Sequence, residues 1–131
     1  MAAERTILVV DDEPDILDLA SSFLKEAGYR PLSAANADIA LIILTQPSIG
    51  FDLLITDIIM PGTLDGVSLA VEACRILPDL PIIYMTGFSG IADVRSRGAP
   101  QGALLNKPWS RASFLETVGK SLAGSSPVQD R

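Results

Sequence analysis

Short apolar runs alternate along this chain with longer stretches in which apolar residues recur every three or four positions. The runs lie at residues 7–10, 51–55, 82–85 and 103–105, with a weaker one at 29–34. Runs so short and so uniformly apolar fit strands buried on both faces, and the helical stretches between them make repeated βαβ units. The first helical stretch opens at Pro14, sets Ile16, Leu19, Ala20, Phe23 and Ala27 on one face, and stops at Gly28. Asn36 is placed to cap a second helix that runs to Thr45 or Gln46 before Pro47. Its residues 39–44 are apolar nearly all round, which fits a core-facing helix with some exposed Ile or Leu. Asp65 is placed to cap a third helix with Val67, Ala70, Val71 and Cys74 inward, closed before Pro78. A weak, short helix is expected between Phe88 and Gly98, supported by an Asp93–Arg97 pair. Ser110 caps a last helix with Phe114, Leu115, Val118 and Leu122 inward. Residues 1–123 therefore read as one domain and 124–131 as a disordered tail, with no internal repeat.

The polar residues that close the strong runs are Asp11-Asp12, Asp57, Thr86 and Lys107. In a parallel sheet all of them emerge at the C-terminal edge, where open α/β folds place ligands and chemistry. Adjacent aspartates point oppositely within a strand, but where the chain turns out of it both can reach one site. A hard cation such as Mg²⁺ takes one or two carboxylates and keeps several waters, so Asp11 or Asp12 with Asp57 would suffice. Three carboxylates in one cleft repel one another unless a cation compensates, and Lys107 is the fixed countercharge available. Each residue also has a plainer reading. Asp11-Asp12 before Glu13-Pro14 can serve the first helix as cap and dipole partner, Asp57 and Thr86-Gly87 can be turn residues, and Lys107 can be solvated. The shared placement, each directly after an apolar strand, favours the site. Cys74 and Trp109 read as packing residues.

Composition removes several alternatives. At 131 residues the chain can bury one core without staples. A net charge of -6 lacks the electrostatic footprint of a nucleic-acid binder, so no direct DNA binding is expected. There is no histidine, which excludes serine–histidine hydrolases, thiol–histidine proteases and histidine-ligated metal sites. No stretch is long and apolar enough for a membrane span, the amino terminus lacks a signal pattern, and a single cysteine fits a reducing, cytoplasmic setting.

The strings ILVVDDEPDIL, LLITDIIMPG with Gly66 following, IIYMTG and LLNKPW resemble the receiver domain of two-component response regulators. The likeness covers residues 5–123, with the four motifs in family order and spacing. It implies a flavodoxin-like (βα)5 doubly wound sandwich, whose five-stranded parallel sheet runs in order 2-1-3-4-5. It implies Asp57 as phosphoacceptor, and Asp11, Asp12, Asp57 and the Ile59 backbone carbonyl as the metal site for Mg²⁺ or Mn²⁺. Thr86 corresponds to the hydroxyl that bonds the phosphoryl oxygen and drives the switch. Lys107 corresponds to the lysine that pairs with the phosphoryl group, with a cis bond to Pro108. The implied partner is a sensor histidine kinase or histidine phosphotransfer protein, and a homodimer is compatible with the class. Such a domain is a signalling element that catalyses only its own phosphorylation and dephosphorylation. It stands alone in some proteins and within a hybrid kinase in others.

Two other classes want similar features. An aspartyl-phosphate hydrolase of the haloacid dehalogenase type needs a second aspartate two residues after the nucleophile, where this chain has Ile59. A flavodoxin-like binding module needs a phosphate-cradling loop after the first strand, where DDEPD would repel a phosphate. The chain also departs from the receiver pattern. Leu104 stands three residues before the lysine, where the family carries an aromatic that follows the threonine. Change on activation is therefore expected at residues 86–90 and the weak helix after them. The loop from Asp57 to Gly66 is one residue longer than the commonest form, and Gly87 leaves the site open to water.

Overall fold

The computed structural model describes residues 4–60, 65–87 and 98–124. In chain order it runs β1 (Thr6–Val10), α1 (Pro14–Glu26), β2 (Arg30–Ala34), α2 (Ala37–Leu44), β3 (Leu53–Asp57), α3 (Gly66–Ile76), β4 (Ile82–Thr86), β5 (Ala103–Asn106) and α4 (Arg111–Gly124). The strands form one sheet in order β2-β1-β3-β4-β5, and every pairing is parallel. Four helices are thus present among the described residues. The short helix expected before Gly98, the Asp93–Arg97 pair and the tail from residue 125 lie outside them.

Alternation along the strands builds a core on each side of the sheet. Leu8, Val10, Leu54, Ile82 and Tyr84 point to the side covered by α2 and α3, where Ala37, Ala40, Leu44, Leu69, Ala70 and Ala73 meet them. Ile7, Val9, Leu53, Ile55, Ile83 and Met85 point to the other side, under Ala20 and Leu24 of α1 and Phe114, Val118 and Leu122 of α4. Burying a residue of this size contributes about 1.5–3 kcal/mol, so the two clusters carry the fold. Tyr84 reaches through the first cluster and its hydroxyl donates to the Pro100 carbonyl at 2.7 Å. Trp109 stacks on Phe114 with ring centroids 4.5 Å apart, and Phe23 meets both rings. This is the packing role expected for Trp109, and half-buried Cys74 packs against the α2/α3 side.

The expected caps are in place. Asn36 Oδ1 accepts from Ile39 N at 2.9 Å, Asp65 Oδ1 from Ser68 N at 2.9 Å, and Ser110 Oγ from Ser113 N at 3.0 Å. Several details differ from the periodicity reading. In α1, Leu24 is buried while Leu19 is 43% exposed and Ala27 lies beyond the helix as an exposed C-cap. In α3, Leu69 and Ala73 are fully buried, whereas Val71 and Cys74 are only partly covered. Leu115 of α4 is likewise partly covered. A helix flanked by neighbours on two sides has more than one apolar stripe, and sequence spacing alone does not say which faces the sheet. The α2 helix matches expectation, with Ala37, Ala40 and Leu44 inward and Ile39 and Ile42 exposed. The third strand begins two residues later than the apolar run and includes Thr56 and Asp57. Register explains the shift: Leu53 pairs with Ile7, while Asp52 before it donates its N–H to the Thr6 carbonyl and accepts the Thr6 N–H on Oδ2.

Candidate functional site

Each polar residue that closes a strand is fixed by a ladder bond at or just beyond the strand end. The Asp11 N–H donates to the Ala34 carbonyl at 3.2 Å, carrying the β1–β2 ladder one step further. Asp57 ends β3 opposite Met85, and the next residue's N–H donates to the Met85 carbonyl at 3.1 Å. Thr86 ends β4 opposite Asn106, and its carbonyl accepts the Lys107 N–H at 2.7 Å. Four strands and their extensions thereby present Asp11, Asp57, Thr86 and Lys107 at one edge, as the sequence pattern required. The Lys107–Pro108 peptide bond is cis, as expected.

The side chains converge. Lys107 Nζ donates to Asp11 Oδ2 at 2.8 Å and to Asp57 Oδ2 at 3.2 Å, and Glu13 Oε2 lies 3.8 Å away. Asp11 is fully buried, and its other oxygen accepts the Glu13 N–H at 2.9 Å. Asp11 thus braces the chain where it leaves β1, and no side chain caps α1. Carboxylate oxygens of Asp11, Asp12 and Asp57 lie within 4.8 Å of one another, with Asp12 exposed to solvent. Three hard oxygen donors at that separation, one open to water, suit a hydrated dication of the Mg²⁺ or Mn²⁺ kind.

Electrostatics follow from this crowding. Burial pushes the Asp57 carboxyl above its ordinary range; the Lys107 ammonium pulls it down and the Asp11 charge pushes it further up. Burial would lower the Lys107 ammonium, but its bond to Asp11 and the charges of Asp57 and Asp11 outweigh that and hold it above its usual value. A cavity of about 220 Å³ opens beside these groups, lined by Glu13, Asp57, Ile58, Ile59, Thr86, Gly87 and Lys107. The Ile59 side chain is 73% exposed at its rim.

Two further residues have a part in this arrangement that the motifs do not explain. Glu13 reads as a helix-start residue, yet its carboxylate faces the lysine. Gly66 matters for having no side chain: a Cβ there would run into the Asp57 carbonyl oxygen and come 2.8 Å from Ile58 Cα. The Gly66 N–H donates to the Ile58 carbonyl at 2.8 Å, so α3 starts pressed against the end of β3. The nine-residue spacing from Asp57 was the visible signal, but the close approach behind it is tertiary.

Fold and site together define an α/β module with an acidic, lysine-bridged cleft at the C-terminal sheet edge. The profile of the response regulator receiver domain matches residues 7–119, and the chain belongs to that family. Among its relatives, the response regulator receiver protein CpdR of Brucella abortus is 34% identical over 119 residues, which is 90% of this chain and 97% of that protein. The sensor kinase CckA of the same species is 29% identical over 93% of this chain, which spans only 13% of that protein. The crystal structure of a response regulator receiver protein from Sinorhizobium medicae superimposes with a TM-score of 0.85 at 29% identity, covering 94% of this chain and 98% of that one. The chain is therefore a receiver domain of two-component signalling. No helix among the described residues is long and apolar enough to cross a membrane.

Proposed function

We propose that the chain accepts a phosphoryl group on Asp57 from a phosphohistidine of a sensor kinase or histidine phosphotransfer protein, and that the acyl phosphate switches its conformation. The observation that carries this reading is the Lys107 ammonium bridging Asp11 and Asp57 beside an open cavity. A nucleophilic carboxylate, a fixed cation and room for a tetrahedral group share one edge.

Asp57 presents a carboxylate oxygen to the phosphorus in line with the departing nitrogen. The O–P bond forms as the P–N bond breaks, and the protonated phosphohistidine leaves as neutral imidazole. Lys107, already within bonding distance of Asp57, offsets charge on the phosphoryl oxygens. Thr86 lines the same cavity, and in this reading its hydroxyl donates to a phosphoryl oxygen. Asp11, Asp12, Asp57 and the Ile59 carbonyl are the groups that would hold a divalent cation. When bound, that cation supplies further positive charge at the phosphoryl oxygens. The acyl phosphate adds negative charge beside Asp11, and movement of Thr86 toward it would shift the loop that follows. Leu104 packs partly buried on the α2/α3 side, so no aromatic ring is available at this position to follow Thr86. Ile59 stands where a phosphohydrolase of the dehalogenase type would need its second aspartate, which leaves a receiver as the better reading.

Both a free-standing regulator, as in CpdR, and a receiver within a kinase, as in CckA, are consistent with the likeness. The cytoplasm, where such phosphodonors act, is the proposed location. The test is intact mass after incubation with Mg²⁺ and acetyl phosphate. A single phosphoryl adduct that disappears in Asp57→Asn is expected. An adduct retained at full stoichiometry in that variant would refute the assignment.

A further inference from the structure

We infer that Glu13 is a positioning residue that biases this site against dianionic phosphodonors; the inference rests on the reading of Asp57 as phosphoacceptor. Glu13 holds the N-cap position of α1 with an extended backbone (φ -95, ψ 114), yet its side chain makes no capping bond. Its N–H is tied to Asp11 Oδ1, which fixes where the side chain starts. The carboxylate then turns into the cavity, with Oε2 3.8 Å from Lys107 Nζ, beside Asp57 and Thr86. Its side chain is 63% exposed, so it stands at the rim rather than in the core of the site.

A carboxylate there has two effects. It is a third carboxylate within ion-pair range of the Lys107 ammonium, after the hydrogen-bonded Asp11 and Asp57, and so competes for the cation that must meet an incoming phosphoryl group. It also adds a fourth negative charge beside Asp11, Asp12 and Asp57, which already outnumber the one lysine. Any phosphodonor has to bring its phosphoryl group past that rim. Acetyl phosphate arrives as a dianion at neutral pH, whereas phosphoramidate arrives as a monoanion with an amine leaving group. Coulombic opposition scales with the donor's charge, so Glu13 opposes the dianion more strongly. Donors with a nitrogen leaving group and lower charge, the class to which phosphohistidine belongs, are favoured by comparison.

The test compares initial rates of Asp57 phosphorylation by acetyl phosphate and by phosphoramidate in the parent and in Glu13→Gln. Each protein is held at Mg²⁺ saturation established by its own titration. At low ionic strength the acetyl phosphate rate should rise on the order of threefold and the phosphoramidate rate by clearly less. The gap should close at roughly 0.5 M salt, where charges at this separation are screened. Glu13→Lys should widen the difference in the same direction. Because the side chain is exposed and caps nothing, unfolding midpoints should match the parent. Equal changes with both donors, or no change, would overturn the role given to Glu13. A parent that takes no phosphoryl group from either donor, or takes it equally in Asp57→Asn, would overturn the phosphoacceptor reading and this inference with it.

Discussion

Lys107 is expected to hold the metal-free site together, and its removal is the sharpest perturbation available. Lys107→Met keeps the length of the stem and deletes the ammonium. The variant loses bonds of 2.8 Å to Asp11 and 3.2 Å to Asp57 and leaves the fully buried Asp11 carboxyl with the Glu13 N–H as its remaining donor among the described residues. Breaking a buried pair by removing one partner costs about 3–5 kcal/mol. Here the lysine side chain keeps 15% exposure and a solvent-open cavity adjoins it, which lets solvent screen the orphaned charges. The expected loss is therefore about 2–3 kcal/mol, or about 1–2 M in urea midpoint for a domain of this size. Urea unfolding in EDTA measures it. Adding Mg²⁺ should recover part of the loss, because a dication held by the same carboxylates replaces the missing countercharge. The double variant Asp11→Asn/Lys107→Met should lose less than the sum of the single losses, since each removes what makes the other costly. A Lys107→Met midpoint equal to the parent's in EDTA would refute the reasoning.

Three further outcomes are expected. Asp57 is held above its ordinary range chiefly by burial, so the fold favours its protonated form; that stability is present below the unfolded carboxylate range and lost as pH rises through the folded value. Chemical denaturation of Asp57→Asn should therefore show it gaining on the parent as pH rises from about 4 to 7; a constant difference would contradict this. Asp12→Ala should weaken Mg²⁺ binding and phosphorylation together while leaving the metal-free protein as stable or more so, because it removes a like charge; calorimetric titration showing parent affinity would place the metal elsewhere. Gly66→Ala should cost about 1–3 kcal/mol in urea unfolding, because the added Cβ meets backbone of Asp57 and Ile58 rather than a movable side chain.

Much of the arrangement was legible because it depends on local pattern. Strand ends carry the chemistry, and a parallel sheet forces those ends to one edge, so Asp11, Asp57, Thr86 and Lys107 could be brought together before any geometry was known. Caps at Asn36, Asp65 and Ser110 were legible for a similar reason: a short polar side chain ahead of an apolar period satisfies N–H groups within its own turn. What escaped depends on neighbours far along the chain. The choice of Leu24 over Leu19 in α1, and of Leu69 and Ala73 over Val71 and Cys74 in α3, is made by which helix packs alongside. Glu13 escaped because its partner Lys107 lies just past the edge strand β5, 94 residues along the chain. The start of β3 was misplaced because Asp52, a polar residue inside the run 51–55, makes its bonds to β1 from outside the strand.

The central claim is that the Asp57 carboxylate becomes an acyl phosphate, and chemical trapping tests it most directly. After reaction with acetyl phosphate and Mg²⁺, borohydride reduces an aspartyl phosphate to homoserine, which peptide mass spectrometry locates. Homoserine at position 57 alone, absent when EDTA replaces Mg²⁺, is the expected result. Homoserine at Asp11 or Asp12 with position 57 intact would contradict it.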